Sequence, residues 1–311
     1  MNIEEFVVEF NGVKYITPCF AIVLYTNIYI DENTDNIEDV IRPYDIFISE
    51  FKKEIGWCIY SFNQNRPIRA KENHFSLYRE WLLDPKKRRK GNFTLEFWSG
   101  RTAEEWNSPG IFINYERYNY TGLLLTEIAL PIPWVKDNNI GIYIKNIINN
   151  YPLSYGYAGW ALLKNHYSVD QEELIDKHLN SWLLRYPGLL APLPSSFIPI
   201  ANETLPDIGW ITLFNKRYVE KIGGQEELLS KVNLIQGLRS DVIGDNLIFM
   251  LGNNPDLGDS VDGDLLPLYC EMGKILSPLH NGDLIYERAI LPGFSNDRLA
   301  GKKWVNRFFG E

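Results

Sequence analysis

Strand-like patterns dominate the first part of the chain. Short apolar stretches flank Asn11-Gly12, a dipeptide that is the strongest short-range signal for a β-hairpin. Residues 20–26 form a nearly continuous apolar run, which is typical of a central strand. Turn residues separate three further strand patterns, at 93–99, 110–115 and 123–130, and a fourth, at 155–163, follows a helical pattern. Together these patterns predict a sheet.

Helical spacing of apolar residues occurs between the strand patterns. One helix is predicted from the apolar positions in 44–55, with Pro43 at its start, because a first turn tolerates proline. A second is predicted at 140–147. A capping box of Ser168 and Gln171 begins a third. Its buried face is predicted to consist of Leu174, Ile175, Leu179, Trp182 and Leu183.

A proline-rich stretch divides the chain. Five prolines fall within residues 186–206, and the apolar residues between them, Leu189, Leu190, Leu193, Phe197 and Ile198, require burial. We therefore interpret 186–206 as an ordered segment that crosses between two halves, 1–185 and 207–311. The order of elements predicts an α+β fold, in which a mostly antiparallel sheet carries helices on one face. The two halves have a similar order of elements and are expected to pack as one compact unit.

Residues 251–279 combine a turn-rich loop with a helix. Gly, Asn, Pro and Asp fill the first part, and all four favour turns. Asp264 is a natural N-cap, Pro267 falls in the tolerated first turn, and Ser277-Pro278 ends the pattern. The apolar face of this helix is predicted to comprise Leu265, Leu268, Tyr269, Met272, Ile275 and Leu276.

The stretch 241–264 carries six carboxylates and no Lys or Arg; they are Asp241, Asp245, Asp256, Asp259, Asp262 and Asp264. Three interpretations are open: a solvated turn, a calcium site, or a contact surface for a basic partner. The aspartates from 256 onward are mostly three residues apart, and no Glu lies where an EF-hand loop requires one. A pair of these carboxylates in a hydrolase is a further alternative.

Composition and charge restrict the class of protein. The 311 residues are 45% hydrophobic and 23% charged, as in globular proteins. The net charge of −9 disfavours direct binding of nucleic acid and favours basic protein surfaces. The first fifteen residues lack the pattern of a signal peptide, and no apolar run reaches 18 residues. The three cysteines are widely spaced, so free thiols are expected. We expect a soluble cytoplasmic protein without membrane contact.

Known catalytic patterns are missing from the sequence. The four histidines, His74, His166, His178 and His280, have no zinc-protease spacing, and the cysteines have no zinc-site spacing. Neither a nucleophile elbow nor a phosphate-binding glycine pattern is present. The sequence therefore predicts a protein that is not an enzyme and needs no cofactor. A hydrolase with an unrecognised carboxylate site is the alternative.

A set of short motifs carries a family resemblance. A Gly-x-x-Pro-x-x-Gly-Asp loop is followed by Pro-x-Tyr and Leu-x-Pro-Leu, formed here by Gly252, Pro255, Gly258, Asp259, Pro267, Tyr269, Leu276, Pro278 and Leu279. Upstream pieces follow in order, at 155–159, 185–189, 209–212 and 223–224. Over roughly residues 20 to 280 the chain resembles the immunity family of type VI secretion systems. Its TsiV- and TsiT-like members neutralise restriction-fold (VRR-NUC-type) nuclease effectors.

The resemblance implies a function and a binding partner. It implies a cytoplasmic immunity protein that binds its cognate nuclease effector and blocks the active or DNA-binding surface. It also favours the six aspartates as partner-binding residues, because a nuclease groove is basic. One departure concerns the loop itself: the family often has Asn two or three residues after Gly-Asp, where this chain has Ser260, Val261 and Asp262.

Overall fold

In the part of the chain that the computed structural model describes, eleven strands form one antiparallel sheet, in the order β10-β11-β9-β8-β2-β7-β6-β5-β3-β4, with β1 paired to β2. The structure describes residues 2–31, 34–35, 37–61, 66–89, 91–118, 121–164, 172–192, 194–201, 203–216, 218–289, 291–295 and 297–310. The strands are β1 Val8–Phe10, β2 Val13–Asn27, β3 Trp57–Tyr60, β4 Ile68–Arg69, β5 Phe93–Ser99, β6 Asn107–Tyr118, β7 Thr121–Leu130, β8 Tyr155–Lys164, β9 Ile211–Asn215, β10 Leu238–Ile243 and β11 Asn246–Leu251.

Helices connect and cover these strands, which confirms the predicted α+β class. They are α1 Ile37–Phe51, α2 Leu77–Leu83, α3 Pro85–Arg88, α4 Ile132–Asp137, α5 Ile140–Ile148, α6 Glu172–Arg185, α7 Gly224–Val232, α8 Pro267–Leu276, α9 Gly282–Arg288 and α10 Arg298–Val305. Short 3-10 helices lie at Ile3–Glu5, Glu72–His74, Pro194–Ile200, Val219–Ile222 and Ser277–Leu279. None of the helices described is both long and apolar enough to cross a membrane.

The strand β2 lies at the centre of the sheet. It pairs with β7 along 20–27 and with β8 along 16–25, both antiparallel. The predicted central strand is therefore confirmed, and it is longer than its apolar run because the second arm of the hairpin continues into it. The hairpin turn is confirmed as well, since Asn11 and Gly12 have φ values of 51° and 77°. Positive φ at both turn residues matches the twist of the strands.

The start of α1 differs from the prediction. The helix begins at Ile37, and Pro43 lies inside it rather than at its first turn. Proline removes one backbone hydrogen bond there. Buried side chains on both sides of it hold the helix against the sheet; they are Val40, Ile41, Tyr44, Phe47 and Phe51. Tertiary packing of the apolar face thus outweighs the local preference of proline for a helix start.

The two faces of the sheet are covered differently. Helices α1 and α2 pack on one face, where the Tyr44 ring lies 6.5 Å from Phe97 and the Trp81 ring 4.7 Å from Phe93. The opposite face is crossed by the segment 186–206. A Cβ on Gly159 of β8 would contact the side chain of Leu190 at 3.5 Å. Four of the apolar residues that were expected to need burial are buried, namely Leu189, Leu190, Phe197 and Ile198. The fifth, Leu193, lies outside the described residues.

The helix α6 buries a narrower face than predicted. Ile175, Leu179 and Leu183 are buried, but Leu174 is 37% exposed and Trp182 is half-buried against Phe6, with ring centroids 5.1 Å apart. Leu174 precedes Ile175 by one residue and is rotated by about 100° around the helix, away from the buried face. The predicted capping box of Ser168 and Gln171 falls outside the described residues.

A buried ion pair ties the C-terminal segment to both ends of the crossing segment. The Arg307 Nη2 atom donates to both carboxylate oxygens of Asp207, at 2.7 and 3.0 Å, and Nε donates to the Pro187 carbonyl at 2.8 Å. The Asp207 side chain is 1% exposed. Burial raises the pKa of Asp207, and Arg307 opposes that rise. The Arg307 guanidinium also stacks on the Trp304 ring, 3.9 Å from its centroid.

We expect Arg307→Met to lower the free energy of unfolding by about 3–5 kcal/mol, because it leaves a buried carboxylate without a countercharge. The matched control is Arg288→Met, which removes the exposed ion pair of Arg288 with Glu203 (2.8 Å). That change should cost about 0–1 kcal/mol. Urea titration followed by Trp fluorescence measures both. Equal losses of unfolding free energy in the two variants would show that the buried ion pair stabilises the fold no more than the exposed one does.

A half-buried carboxyl lies within the sheet. Glu127 of β7 is paired in register with Val23 of β2 and Phe112 of β6. Burial raises the pKa of Glu127 to about 7. Burial also raises the pKa of Cys19, Tyr25 and Tyr157, and the charge of Glu127 adds to each of these shifts. The folded chain therefore holds a proton on Glu127 that the unfolded chain releases between about pH 4.5 and 7.

We expect Glu127→Gln to remove a pH-dependent loss of stability. With a raised pKa in the folded state, the wild-type protein is destabilised as pH rises from about 4.5 through 7. Since Gln cannot ionise, the variant should exceed the wild type by about 3 kcal/mol at pH 8 and match it near pH 4. Urea titrations at a series of pH values test this. A difference between the two proteins that does not change with pH would contradict it.

Candidate functional site

Residues 259–264, here named the aspartate turn, form a closed loop of the chain. Asp259 and Asp264 face each other as an isolated antiparallel bridge. The Asp259 N–H donates to the Asp264 carbonyl at 3.0 Å, and the Asp264 N–H donates back to the Asp259 carbonyl at 2.9 Å. Inside this ring the Asp262 N–H also donates to the Asp259 carbonyl, at 3.1 Å, and Gly263 has a φ of 80°. A left-handed residue of this kind closes a tight turn without strain only when it is glycine.

The aspartate turn caps the C-terminus of α6. The last carbonyls of a helix have no partner within the helix. Here the Ser260 N–H donates to the Arg185 carbonyl at 2.8 Å, and the Ser260 hydroxyl donates to the Leu184 carbonyl at 3.0 Å. These two bonds attach the turn to the main sheet through α6.

A forked ion pair reinforces this attachment. The Arg185 Nε atom donates to both oxygens of Asp259 at 3.0 Å, and Nη2 donates to Oδ2 at 2.7 Å. The Asp259 carboxylate also accepts the Val261 N–H at 3.0 Å. Hydrogen bonds from Arg185 hold the pKa of Asp259 below its ordinary value. Bidentate pairing restricts both the orientation and the distance of the guanidinium and the carboxylate. The Asp259 carboxylate is therefore engaged in contacts within its own chain.

The chain just before the turn packs against the crossing segment. The Gly188 N–H donates to the Leu257 carbonyl at 2.8 Å, and the Trp160 indole donates to the Pro255 carbonyl at 3.1 Å. A Cβ on Gly188 would lie 2.1 Å from the Asp256 carbonyl oxygen, far inside van der Waals contact. Only glycine therefore allows this close approach of the two backbones.

Two of the predicted site residues shape their own backbone. The Asp256 carboxylate accepts the Gly258 N–H at 3.1 Å, and the Asp264 carboxylate accepts the Leu266 N–H at 3.2 Å. The prediction that Asp264 is the N-cap of the following helix is wrong. The helix α8 begins at Pro267, and its N-cap position is Leu266 with a φ of 54°. The left-handed Leu266 turns the chain before the helix starts, so Asp264 caps a turn instead.

The structure separates the six aspartates into two groups. Asp241 and Asp245 lie at the far end of the β10–β11 hairpin, and β11 carries the chain roughly 20 Å from there to the loop that leads to the aspartate turn. Lys145 forms an ion pair with Asp241 and holds its pKa below the ordinary value, and the Lys216 ammonium lies 2.5 Å from Asp245. The six aspartates form one acidic run in the sequence, but they do not form one surface on the folded protein.

The aspartate turn and the residue that follows it expose two aliphatic side chains that sequence reasoning missed. Val261 is 72% exposed and Leu265 is 57% exposed. Leu265 was predicted on the buried face of the helix, and that prediction is wrong, because α8 starts only at Pro267. The helical spacing of the apolar residues in α8 extends by chance to Leu265, which precedes the helix. Asp256, Asp262 and Asp264 are exposed beside them, and within the described residues none of the three has an ion-pair partner.

The remaining candidate chemistry is structural. The Cys58 sulfur lies 3.4 Å from His74 Nδ1, and both residues are buried. Burial raises the pKa of the Cys58 thiol to about 12 and lowers the pKa of His74, which favours a neutral thiol beside a neutral imidazole. His280 stacks on Phe309 with centroids 3.6 Å apart, and His166 lies outside the described residues. In the described part of the chain no three His, Cys, Asp or Glu side chains are grouped as metal ligands.

The family of the protein is established by its sequence over most of the chain. The model of the TsiV family, described as type VI immunity for VRR-NUC, matches residues 39–308. The chain belongs to this family. It is therefore an immunity protein of the type VI secretion system, directed at a nuclease effector. No curated protein sequence matches the chain.

A solved structure agrees with the fold. The Pseudomonas aeruginosa T6SS protein PA0821 is similar at a TM-score of 0.74 and 16% sequence identity, with 96% of this chain and 84% of that chain covered. At this identity the likeness shows the fold alone. A chain of the complex between the toxic C-terminal tip of Pseudomonas aeruginosa CdiA and its immune protein matches at 11% identity, covering 50% of this chain and 92% of that chain. Its TM-score of 0.19 carries no argument.

We expect Gly188→Ala to destabilise the protein by about 1–3 kcal/mol, because the added methyl group must push the Asp256 backbone away. Hydrogen exchange should rise at the amides of Val261 and Asp264. Gly141→Ala in α5 is the control, since its Cβ meets only Asn139 Oδ1, at 3.4 Å. The control should be neutral or slightly stabilising. Unchanged exchange in the aspartate turn of Gly188→Ala would show that the crossing segment does not position it.

Proposed function

We propose that this protein neutralises its cognate nuclease effector by binding over the basic surface on which the effector holds DNA, and that the aspartate turn is part of the contact. The observation that carries the proposal is the rigid base of the turn. It is fixed by Arg185 and Ser260 while Asp256, Asp262 and Asp264 stay exposed beside it. A contact surface fixed before binding loses less conformational entropy on association.

Charge complementarity supports this choice of partner surface. A nuclease must present Lys and Arg side chains to hold phosphate groups. The exposed carboxylates of the aspartate turn attract such a surface, and the net charge of −9 repels nucleic acid itself. Charged groups at the edge of an interface act mainly on the rate of association and on the choice of partner.

The structure gives a reason to treat the six aspartates unequally. Asp241, Asp245 and Asp259 each lie in an ion pair with a basic residue of the same chain. Releasing them for a partner would break those contacts, so they contribute less to binding. The proposal therefore assigns partner binding to Asp256, Asp262 and Asp264.

Inhibition by binding alone requires no chemistry from the immunity protein. We propose that it has no catalytic turnover, which is supported by the inert environment of Cys58 and His74. The alternative hydrolase needs two carboxylates that face each other across a cleft. Asp256, Asp262 and Asp264 are instead exposed on the surface of the protein. Because a nuclease damages DNA in the cytoplasm of a bacterium, we propose that this compartment is where the protein acts.

We expect the triple variant Asp256→Asn/Asp262→Asn/Asp264→Asn to associate with the effector nuclease domain more slowly and with a weaker salt dependence. Asn keeps the shape and the turn preference while three charges are lost. The measurement is kon between about 0.1 and 1 M salt, over which the Debye length falls from about 10 to 3 Å. The melting temperature should change little.

The double variant Asp241→Asn/Asp245→Asn serves as the control, because it removes exposed charge at the other end of the hairpin. It should associate at the wild-type rate. If the double variant slows association and the triple variant does not, the contact surface lies at the Lys145 end. A triple variant that melts earlier but associates normally would show that these aspartates only shape the turn.

A further inference from the structure

Exposed aliphatic side chains are common on protein surfaces and need no explanation when they occur singly. Val261 and Leu265 differ from that background in their setting. Val261 lies on the aspartate turn and Leu265 directly follows it, and they are 72% and 57% exposed. Asp262 and Asp264 lie between them in the sequence. The turn thus presents apolar and acidic side chains together.

The backbone beneath Val261 is fixed by contacts from three directions. The Val261 N–H donates to the Asp259 carboxylate at 3.0 Å. The preceding Ser260 N–H donates to the last carbonyl of α6, and Arg185 forms an ion pair with Asp259. The exposed side chain of Val261 buries little apolar surface in the free protein, so it contributes little to the stability of the fold. Its burial would be favourable only in a complex.

We propose that Val261 and Leu265 are the apolar anchors of this interface, and that they pack against the aliphatic stems of Lys and Arg side chains on the phosphate-binding surface of the effector. This inference rests on the proposed function. Lys and Arg carry three- or four-carbon stems below their charged ends. A segment in which two exposed carboxylates lie between two exposed aliphatic side chains therefore complements both parts of a basic side chain, the stem and the charge.

The two components of the surface act on different rate constants. The carboxylates influence encounter, and hence kon, whereas short-range burial of apolar groups influences how long the complex lasts, and hence koff. Arg185 is a positioning residue here, because it holds Asp259 and through it the Val261 backbone. The apolar anchors thus have a kinetic signature distinct from that of the aspartates.

The test is the double variant Val261→Ser/Leu265→Ser of the full chain. Its binding to a catalytically inactive form of the cognate effector nuclease domain is measured by surface plasmon resonance at two salt concentrations. We expect koff to rise by about tenfold for each side chain removed, with kon and its salt dependence unchanged. Protection of plasmid DNA from the active nuclease should require correspondingly more of the variant protein.

The matched control is Leu234→Ser/Leu299→Ser, which removes two aliphatic side chains that are 86% and 79% exposed but not flanked by aspartates. It should dissociate at the wild-type rate. Because all four residues are exposed, both variants should fold, and circular dichroism melting checks this. The single variant Leu265→Ala gives a second measurement if the double variant is unstable.

Three results would overturn the inference. The double variant could dissociate at the wild-type rate, it could change only kon and the salt dependence, or the control could dissociate as fast as the double variant. In each of these cases the wild-type protein still binds the effector, so the proposed function stands. Failure of the wild-type protein to bind the effector would instead overturn the proposed function and this inference with it.

Discussion

The guanidinium of Arg307 holds together parts of the chain that lie 100 and 120 residues apart in sequence. It binds the Pro187 carbonyl and the Asp207 carboxylate, at the two ends of the segment that crosses the sheet. A buried arginine with a forked partner and a stacked aromatic ring loses little by leaving water. The crossing segment is therefore fixed at both ends, although it contains little regular secondary structure.

The position of the aspartate turn follows from that constraint. Next to Pro187, Gly188 touches the backbone of Asp256 and Leu257, while Arg185 and Ser260 attach the turn to α6. The turn is thus connected to the core by backbone contacts and one ion pair, and its exposed side chains are free for a partner. A surface that is fixed before association loses less conformational entropy when it binds.

Several features could be predicted from the sequence because short-range physics decides them. Asn11-Gly12 sets a hairpin through its backbone preferences, and the apolar run at 20–26 requires a strand covered on both faces. The α+β class follows from the order of such patterns. The family was indicated in a different way, by the resemblance of the motifs at 252–279 to those of type VI immunity proteins, and the match of the family model over residues 39–308 confirms it.

Long-range contacts decided the rest, and local patterns could not reveal them. The helix α1 begins before Pro43 because its apolar side chains on both sides of the proline pack against the sheet. The helix α8 begins only after the left-handed Leu266, so Leu265 is exposed rather than buried. The six aspartates look like one acidic run in sequence, yet β11 divides them and distant basic residues pair with three. The sequence by itself determined the strands, the turn residues and the family. Only the tertiary structure decided which charges remain exposed, because the residues that neutralise them come from other parts of the fold.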